Sequence, residues 1–485
     1  MAEGLTAAGE FTIDDARILT STGLEVNISP SIIAITLYES TELMTVSGNI
    51  LLQDSANIAN VGPLIGQEYL FLKIKTPSFS DETSIIDYTQ NVFIINSLQA
   101  RGDIGNNVQG YLLSFVSSEL ARNQRTKVNQ ILRGSYASIV ENLLVNYIRT
   151  KKNIFTEPTT GNKKIVTPNA SPFNLIARAM KESVSVVDSN ASYMFFENIK
   201  GFHFRSLASM YAQKPQLAYT TSIAGSKIGK GGTIDVFADL QTILSYQILN
   251  NSDSLVNYTL GVFGSKLIVH DIFNKIYTTH TYNYLDNFDK ESHIVGTNPL
   301  TKSKLDYPIF SATPVEKENR VSDFPARTFM LPTSLKDTNS FSDSSFTTSD
   351  NLYPFVANVP QVWLQKSVSQ KNQLRGGFLI DVLVHGNTLV NSVDIVELNL
   401  PYLGTTTTKK EKYDRFFRGL FFVKRIRHDF DISAGNKHTM YMTLVKDSLE
   451  EELDAPDDNF EPKPKIQPIV YEEFYDNIEE GATDD

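Results

Sequence analysis

The chain of 485 residues contains no cysteine, which excludes disulfide bonds, thiolate metal sites and cysteine nucleophiles together. It also lacks any run approaching the roughly 18 apolar residues that a membrane helix needs. Its N-terminus has neither the basic region nor the apolar segment of a signal peptide. We therefore expect a globular protein that does not insert into membranes and carries no secretion signal.

Basic residues are scarce at the C-terminal end. Residues 450–485 include 14 acidic and 2 basic side chains, a local charge of −12, whereas the whole chain carries −11. The other 449 residues therefore hold 42 basic and 41 acidic side chains, a net charge of +1. A neutral body argues against a dedicated nucleic-acid surface. The tail has too much charge to form a core, so we expect it to be disordered.

Motifs that mark enzymes are absent or incomplete. The stretch "AGSKIGKGGT" has the glycines and lysine of a phosphate-binding loop, but Ala224 replaces the first glycine and Gly231 replaces the magnesium-binding hydroxyl residue. His270 and His428 each precede an aspartate, and neighbours on a strand point to opposite faces. The sequence contains no GxSxG elbow. We expect no catalytic residue, no cofactor and no metal.

One basic run has aromatic neighbours, at Lys424, Arg425, Arg427 and His428. It lies in an alternating segment, so a strand would divide these charges between two faces. This division weakens a nucleic-acid interpretation.

Alternating hydrophobicity predicts strands in two separate blocks. The first 117 residues contain "SIIAITLYE", "TVSGNILLQD", "EYLFLKIKTP", "QNVFIINSL" and "QGYLLSFVSS". The second block contains "GGFLIDVLVHG", "DIVELNL", "GLFFVKRIRHDFD" and "HTMYMTLVKDS". Between them, helical periodicity begins after Ser135 and again after Ser171, each a plausible N-cap. The gross order is therefore strand-rich, mixed, strand-rich.

An aromatic hairpin is predicted within the mixed region, in "YMFFENIKGFHF". Gly201 tolerates positive φ, so the chain can reverse there. The strands on either side of the turn then present aromatic side chains that we predict to be core residues: Tyr193, Phe195, Phe196, Phe202 and Phe204.

The acidic tail contains aromatic residues as well. Tyr471, Phe474 and Tyr475 are candidate docking anchors, because aromatic side chains supply a large contact area when a partner buries them. A solubilising tail that happens to hold a few apolar residues explains the same pattern. Both interpretations stay open at this point.

Several segments, taken in order, resemble the central baseplate hub protein of T-even-type contractile-tailed bacteriophages. The resemblance is carried by residues 47–77, "SGNILLQDSANIANVGPLIGQEYLFLKIKTP", by residues 166–185, by the hairpin, and by residues 415–449. Two parts match poorly, the polar insertion at 333–351 and the tail.

The resemblance implies an α+β, mainly β fold with two related antiparallel β-barrels and smaller inserted α/β domains. It implies a homotrimeric, pseudo-sixfold ring that joins a hexameric tail tube to a trimeric spike, without enzymatic activity. Tape-measure protein and DNA would pass through the ring. Such a protein is assembled in the host cytoplasm and resides in the baseplate of the virion tail.

On this basis we expect the following division of the chain: a first barrel at 1–117, an α+β insertion at 118–205, a second barrel at 206–250 and 353–448, an inserted domain at 251–352 and the tail at 449–485. A related hypothesis is the hub of a phage-derived injection or secretion machine. Hypotheses from other classes are a cell-wall polysaccharide hydrolase of the tail tip, since carboxylates are abundant, and a receptor-binding adhesin.

Overall fold

The computed structural model describes residues 7–77, 85–105, 108–221, 235–250, 253–271, 275–294, 306–310, 314–333, 361–402 and 413–450. Strands dominate these segments. None of the helices within them is long and apolar enough to cross a membrane.

The first barrel is a curved antiparallel sheet in the order β1-β5-β7-β8-β4-β3, with β2 beside β1 and β6 beside β5. Its elements are β1 (Thr12–Leu19), β2 (Glu25–Asn27), β3 (Ile32–Ser40), β4 (Ser47–Asp54), α1 (Ile58–Val61), β5 (Tyr69–Lys75), β6 (Ile85–Asp87), β7 (Phe93–Gly105) and β8 (Val108–Ser117). Alternate side chains such as Ile50, Leu72 and Phe115 fill its core. The five predicted strands are present, and β1, β2 and β6 join them.

The α+β insertion follows and has a core of its own. It comprises α2 (Ser118–Arg125), β9 (Ile131–Gly134), α3 (Tyr136–Asn142), β10 (Ile154–Thr156), β11 (Lys163–Val166), α4 (Pro172–Glu182), β12 (Tyr193–Asn198), β13 (Gly201–Ser206) and α5 (Leu207–Tyr211). Helix α3 continues as a π-helical turn to Ile148. As the sequence predicts, Ser135 caps α3 by accepting a hydrogen bond from the backbone N–H of Ser138.

The next part of the chain alternates between strands of the second barrel and inserted elements. It comprises β14 (Pro215–Thr221), α6 (Val236–Leu240), β15 (Thr242–Asn250), α7 (Ser254–Leu260), β16 (Gly264–Asp271), β17 (Ile276–Asn283), α8 (Tyr284–Phe288), β18 (Tyr307–Pro308), β19 (Arg327–Thr333) and α9 (Gln361–Gly376). Strands β17, β16 and β19 form a separate small sheet. Helix α9 packs against β16 and β17.

The second barrel is completed by β20 (Phe378–His385), β21 (Ile395–Pro401), β22 (Tyr413–Asp431) and β23 (Lys437–Lys446), followed by β24 (Ser448–Leu449). Its strands close on themselves in the order β22-β21-β14-β15-β20-β23, because β23 pairs with β22. The predicted mainly β fold is therefore confirmed, with one closed six-stranded barrel, in which the pairings of β14 with β15 and with β21 are parallel.

One strand belongs to both barrels. The first half of β22 pairs with β21, and its second half pairs with β3 of the first barrel. Along this second half β23 lies on the other side, so that Arg427 stands opposite both Tyr38 and Tyr441. We call this line of pairing the seam. It makes the two barrels one continuous sheet.

Helix α9 has a polar buried face. Gln365 donates a hydrogen bond to the backbone carbonyl of Ser265 at 2.9 Å, and Gln370 donates to Glu291 at 2.7 Å. These hydrogen bonds offset the cost of burying the Gln365 amide nitrogen and the Gln370 side chain, whereas Gln365 Oε1 has no partner within the described part of the chain. The sequence does not predict α9, since its buried side chains lack hydrophobic periodicity: Gln365, Ser367, Ser369, Gln370 and Gln373.

A buried ion pair attaches the inserted elements to the end of β23. His293 Nδ1 lies 2.8 Å from Asp447 Oδ2, and its Nε2 donates to the carbonyl of Phe288. Burial alone lowers the pKa of His293, but attraction and hydrogen bonding to Asp447 outweigh it and raise this pKa to about 9. The imidazolium is therefore the favoured form at neutral pH.

The His293–Asp447 pair makes stability depend on pH. A histidine whose folded pKa exceeds its unfolded value, about 6.5, stabilises the protein fully below that value and ceases to do so as pH rises through the folded pKa. We expect the free energy of unfolding to fall by up to about 3 kcal/mol between pH 6.5 and 9. Urea titrations over this range would measure it. The Asp447→Asn variant should lose most of the dependence, and an unchanged slope would contradict the assignment.

Candidate assembly surface

The outward face of the seam presents an ordered array of polar and aromatic side chains drawn from both barrels. Register fixes two adjacent rows across β20, β23, β22 and β3. The first row is Leu383, Tyr441, Arg427 and Tyr38, and the second is Asp381, Thr443, Arg425 and Ser40. We call these two rows the seam face.

A cleft of about 520 Å³ opens on the seam face. Its walls come from β3, the β3–β4 turn, β4, β20, β22 and β23. The lining residues are Tyr38, Glu39, Ser40, Glu42, Leu43, Ser47, Asp381, Arg425, Ile426, Arg427, Tyr441 and Thr443. The cleft therefore lies where the two barrels meet, and both contribute to it.

The cations of the seam face have partners at close range. Arg427 donates to Asp429 at 2.9 Å and stacks on Tyr441, with its guanidinium carbon 4.0 Å from the ring centroid. Arg425 donates through Nε to the hydroxyl of Thr443 at 2.8 Å, and Thr443 in turn donates to Asp381. Such a surface offers directed hydrogen bonds and stacking, and its balanced charge does not favour strong retention of a polyanion.

Just below the cleft, Lys424 is buried beside the loop that follows β3. Its ammonium donates to the carbonyl of Leu374 at 3.0 Å and lies 3.3 Å from Glu42. Burial lowers the pKa of Lys424, and Glu42 opposes that shift. The alternation predicted for the basic run is present, since Lys424 and His428 are buried whereas Arg425 and Arg427 are exposed.

Sequence reasoning found the arginines but missed the tyrosines beside them. Tyr38 and Tyr441 lie in predicted strands, at outward positions. The alternation of inward and outward positions within each strand was the signal that could have marked these tyrosines as outward. What the sequence alone does not supply is the pairing that places both of them next to Arg427.

The five aromatic residues of the predicted hairpin lie inside the protein. Tyr193, Phe195, Phe202 and Phe204 are buried in the core of the α+β insertion. Phe196, on the other face of β12, is buried in a second cluster that includes Phe422 and Val445 of the second barrel. The hairpin thus connects two cores and contributes none of these rings to the seam face.

His203 occupies the hairpin beside these rings and stays neutral. It stacks between Phe155 and Phe196 at centroid distances of 4.7 and 5.0 Å. Burial, reinforced by Arg205 and Lys200, lowers its pKa to about 3. Its Nε2 lies 2.9 Å from the Asn198 side-chain oxygen. The arrangement is that of a packed core histidine.

Other sites suggested by the sequence lie outside the described residues. These are the candidate anchors Tyr471, Phe474 and Tyr475, the glycine-rich stretch at 224–233, and residues 334–351 of the polar insertion. In the segments that the structure describes, no group of three or more His, Asp or Glu side chains could hold a metal ion.

Comparison with known proteins identifies the fold. No protein-family model matches the chain, and no curated protein matches it by sequence. Among solved structures, the tail protein from Neisseria meningitidis MC58 superposes with a TM-score of 0.50 at 11% identity, covering 90% of this chain and 97% of that one. The chain shares the fold of this tail protein.

Two further structures resemble the chain more distantly. The 43 kDa tail protein of prophage MuSo2 from Shewanella oneidensis has a TM-score of 0.47 at 8% identity, with 89% of this chain and 98% of that chain covered. A component of the type VI secretion system of E. coli has a TM-score of 0.40 at 7% identity, with coverages of 92% and 79%.

Proposed function

We propose that the chain is the structural, non-enzymatic hub of a contractile tail baseplate. Three copies would form a ring that joins a hexameric tail tube to a trimeric spike and allows tape-measure protein and DNA to pass. The hub would be assembled in the host cytoplasm and reside in the virion tail. In this proposal the two barrels and the inserted domains follow the division expected from the sequence.

The observation that carries this proposal is that two barrel-like groups of strands are joined in one sheet at the seam. Two similar barrels per chain give six similar units in a trimer, which is the number that a sixfold tube presents. Rings close through heterologous contacts between complementary surfaces. The seam face, with its stacked and hydrogen-bonded side chains, is a surface of suitable chemistry for contacts within such an assembly.

Electron microscopy of the purified chain tests the proposal. We expect rings with a central hole and threefold or pseudo-sixfold symmetry, either from the chain alone or after mixing with a spike protein from the same genome. Compact monomers in both samples would contradict the ring. A gene neighbourhood with capsid genes would separate a phage hub from the hub of an injection or secretion machine.

The acidic tail gives a second test. Truncation after Glu451 retains Leu449, which is buried in β24 opposite Tyr307. If Tyr471, Phe474 and Tyr475 dock on a baseplate partner, the truncated chain should melt like the full chain but incorporate poorly into baseplates in a complementation assay. A full-length variant with these three aromatics changed to serine is the matched control. Normal incorporation of both would refute docking by the tail.

A further inference from the structure

A layer of buried polar side chains lies between the hydrophobic cores of the two barrels. On one face of β22, Ile426 packs in the second core and Phe430 in the first, and His428 stands between them. We call this layer the septum. Its members, all buried, are Glu39, Thr76, Asn387, Thr388, Asn391, Ser392, Asp394, His428 and His438.

Part of the septum is hydrogen-bonded across the boundary between the two barrels. Glu39 Oε2 accepts a hydrogen bond from the backbone N–H of Ser392 at 3.0 Å, and His428 Nδ1 lies 3.1 Å from His438 Nε2. Glu39 is on β3 of the first barrel, whereas Ser392 and His438 belong to the second. The Glu39–Ser392 hydrogen bond therefore joins the two barrels where each apolar core ends, whereas the His428–His438 contact links β22 to β23.

Five polar atoms of the septum have no hydrogen-bond partner among the described residues: Glu39 Oε1, Asn391 Oδ1, Ser392 Oγ, His428 Nε2 and His438 Nδ1. Glu39 Oε1 and His428 Nε2 are 3.4 Å apart without forming a hydrogen bond. Ser392 adjoins them, because its backbone N–H binds the other oxygen of the same carboxylate. Leaving such atoms unpaired would be costly, since a buried polar group without a partner loses the hydrogen bonds that water gives it in the unfolded chain.

We propose that the septum binds an ordered water molecule that bridges Glu39 Oε1, His428 Nε2 and Ser392 Oγ. A buried water typically makes about three hydrogen bonds to polar groups that otherwise have no partner. Of the five unpaired septum atoms, these three belong to Glu39 and to the two residues that adjoin its carboxylate. The water can donate to the carboxylate and accept from the imidazole N–H.

A single substitution distinguishes a hydrated septum from a dry one by the sign of its effect. In a dry septum, Ser392→Ala removes an unsatisfied hydroxyl and should raise the melting temperature. In a hydrated septum it removes a ligand of the water and should lower the melting temperature, by about 1–3 °C for a chain of this length. We expect the lower value.

Ser369→Ala is the matched control, because the buried Ser369 hydroxyl donates directly to the carbonyl of Val262 at 2.7 Å. This variant should melt below the wild type whether or not the septum is hydrated. A raised melting temperature for Ser392→Ala beside a lowered one for Ser369→Ala would overturn the proposal.

A crystal structure of the full chain at a resolution that shows ordered water provides the direct test. We expect a density peak within about 3 Å of the three septum atoms in the wild type. The peak should be weaker or absent in Ser392→Ala. A wild-type map in which Glu39 and His428 hydrogen-bond directly, without an intervening peak, would overturn the proposal, as would a peak with the short ligand distances of a metal ion.

Discussion

Replacing Lys152 with alanine should lower the free energy of unfolding by about 3–5 kcal/mol. The Lys152 ammonium is buried between two carboxylates, 2.6 Å from Glu197 and 2.8 Å from Glu119, and donates to the hydroxyl of Ser117 at 3.2 Å. Burial by itself lowers its pKa, but Glu197 and Glu119 reverse the shift, so Lys152 remains charged. Its removal leaves two buried carboxylates facing each other without a cation.

Loss of Lys152 should weaken the attachment of the α+β insertion to the first barrel. Glu197 lies on the aromatic hairpin, and its other oxygen accepts a hydrogen bond from the backbone N–H of Val46. The exposed neighbour Lys151 provides the control, since Lys151→Ala should change stability by less than about 0.5 kcal/mol. Urea unfolding measures both. A double variant, Lys152→Met with Glu197→Gln, should be more stable than Lys152→Ala. Equal stability of Lys152→Ala and Lys151→Ala would contradict the stabilising role of the buried ammonium.

Phe196→Ala should destabilise the protein by a similar amount, about 3–5 kcal/mol. The ring is fully buried, stacks on His203 and lies in the cluster that joins the hairpin to the second barrel. Truncation would remove its buried apolar surface and leave a cavity between the two cores. Phe195→Ala should behave in the same way, because Phe195 is buried on the opposite face of β12.

Phe155→Ala is the matched control for this experiment. Phe155 stacks on the other side of the same histidine, but 39% of it is exposed, so its truncation creates no closed cavity. We expect a loss of about 1 kcal/mol, as for an ordinary partly exposed substitution. Thermal and urea unfolding of the variants would measure the difference. A soluble Phe196→Ala protein with wild-type melting would show that the ring is not buried in solution.

Local patterns in the sequence predicted the elements that have a hydrophobic period. The alternation of Tyr193, Phe195 and their neighbours marks the hairpin, and Ser135 marks the start of α3. Strand β1 escaped prediction because charged residues interrupt its pattern, and the structure shows an irregularity in its register between Ile13 and Asp15. Helix α9 escaped because glutamine and serine fill its buried face.

The seam could not be predicted from local pattern because it depends on pairing between distant strands. Alternation indicates which residues of β3 and β22 point outward, but it does not say that these strands are neighbours. The septum is harder still to foresee. Alternation can place Glu39 and His428 on the inward faces of their strands, but only the pairing of β3 with β22 brings the two side chains together.

The shared strand β22 also constrains the order in which the protein can fold. Thr36 on β3 and Asp429 on β22 are hydrogen-bonded although 393 positions separate them along the chain. Contacts of such long range slow folding, because the loop must close before the pairing stabilises it. During synthesis the first barrel emerges early, yet the edge of β3 stays unpaired until almost the whole chain has left the ribosome. This edge is open to wrong partners throughout that interval. We therefore expect mutations at the seam to lower the yield of folded protein through aggregation, even where the folded protein itself is little altered.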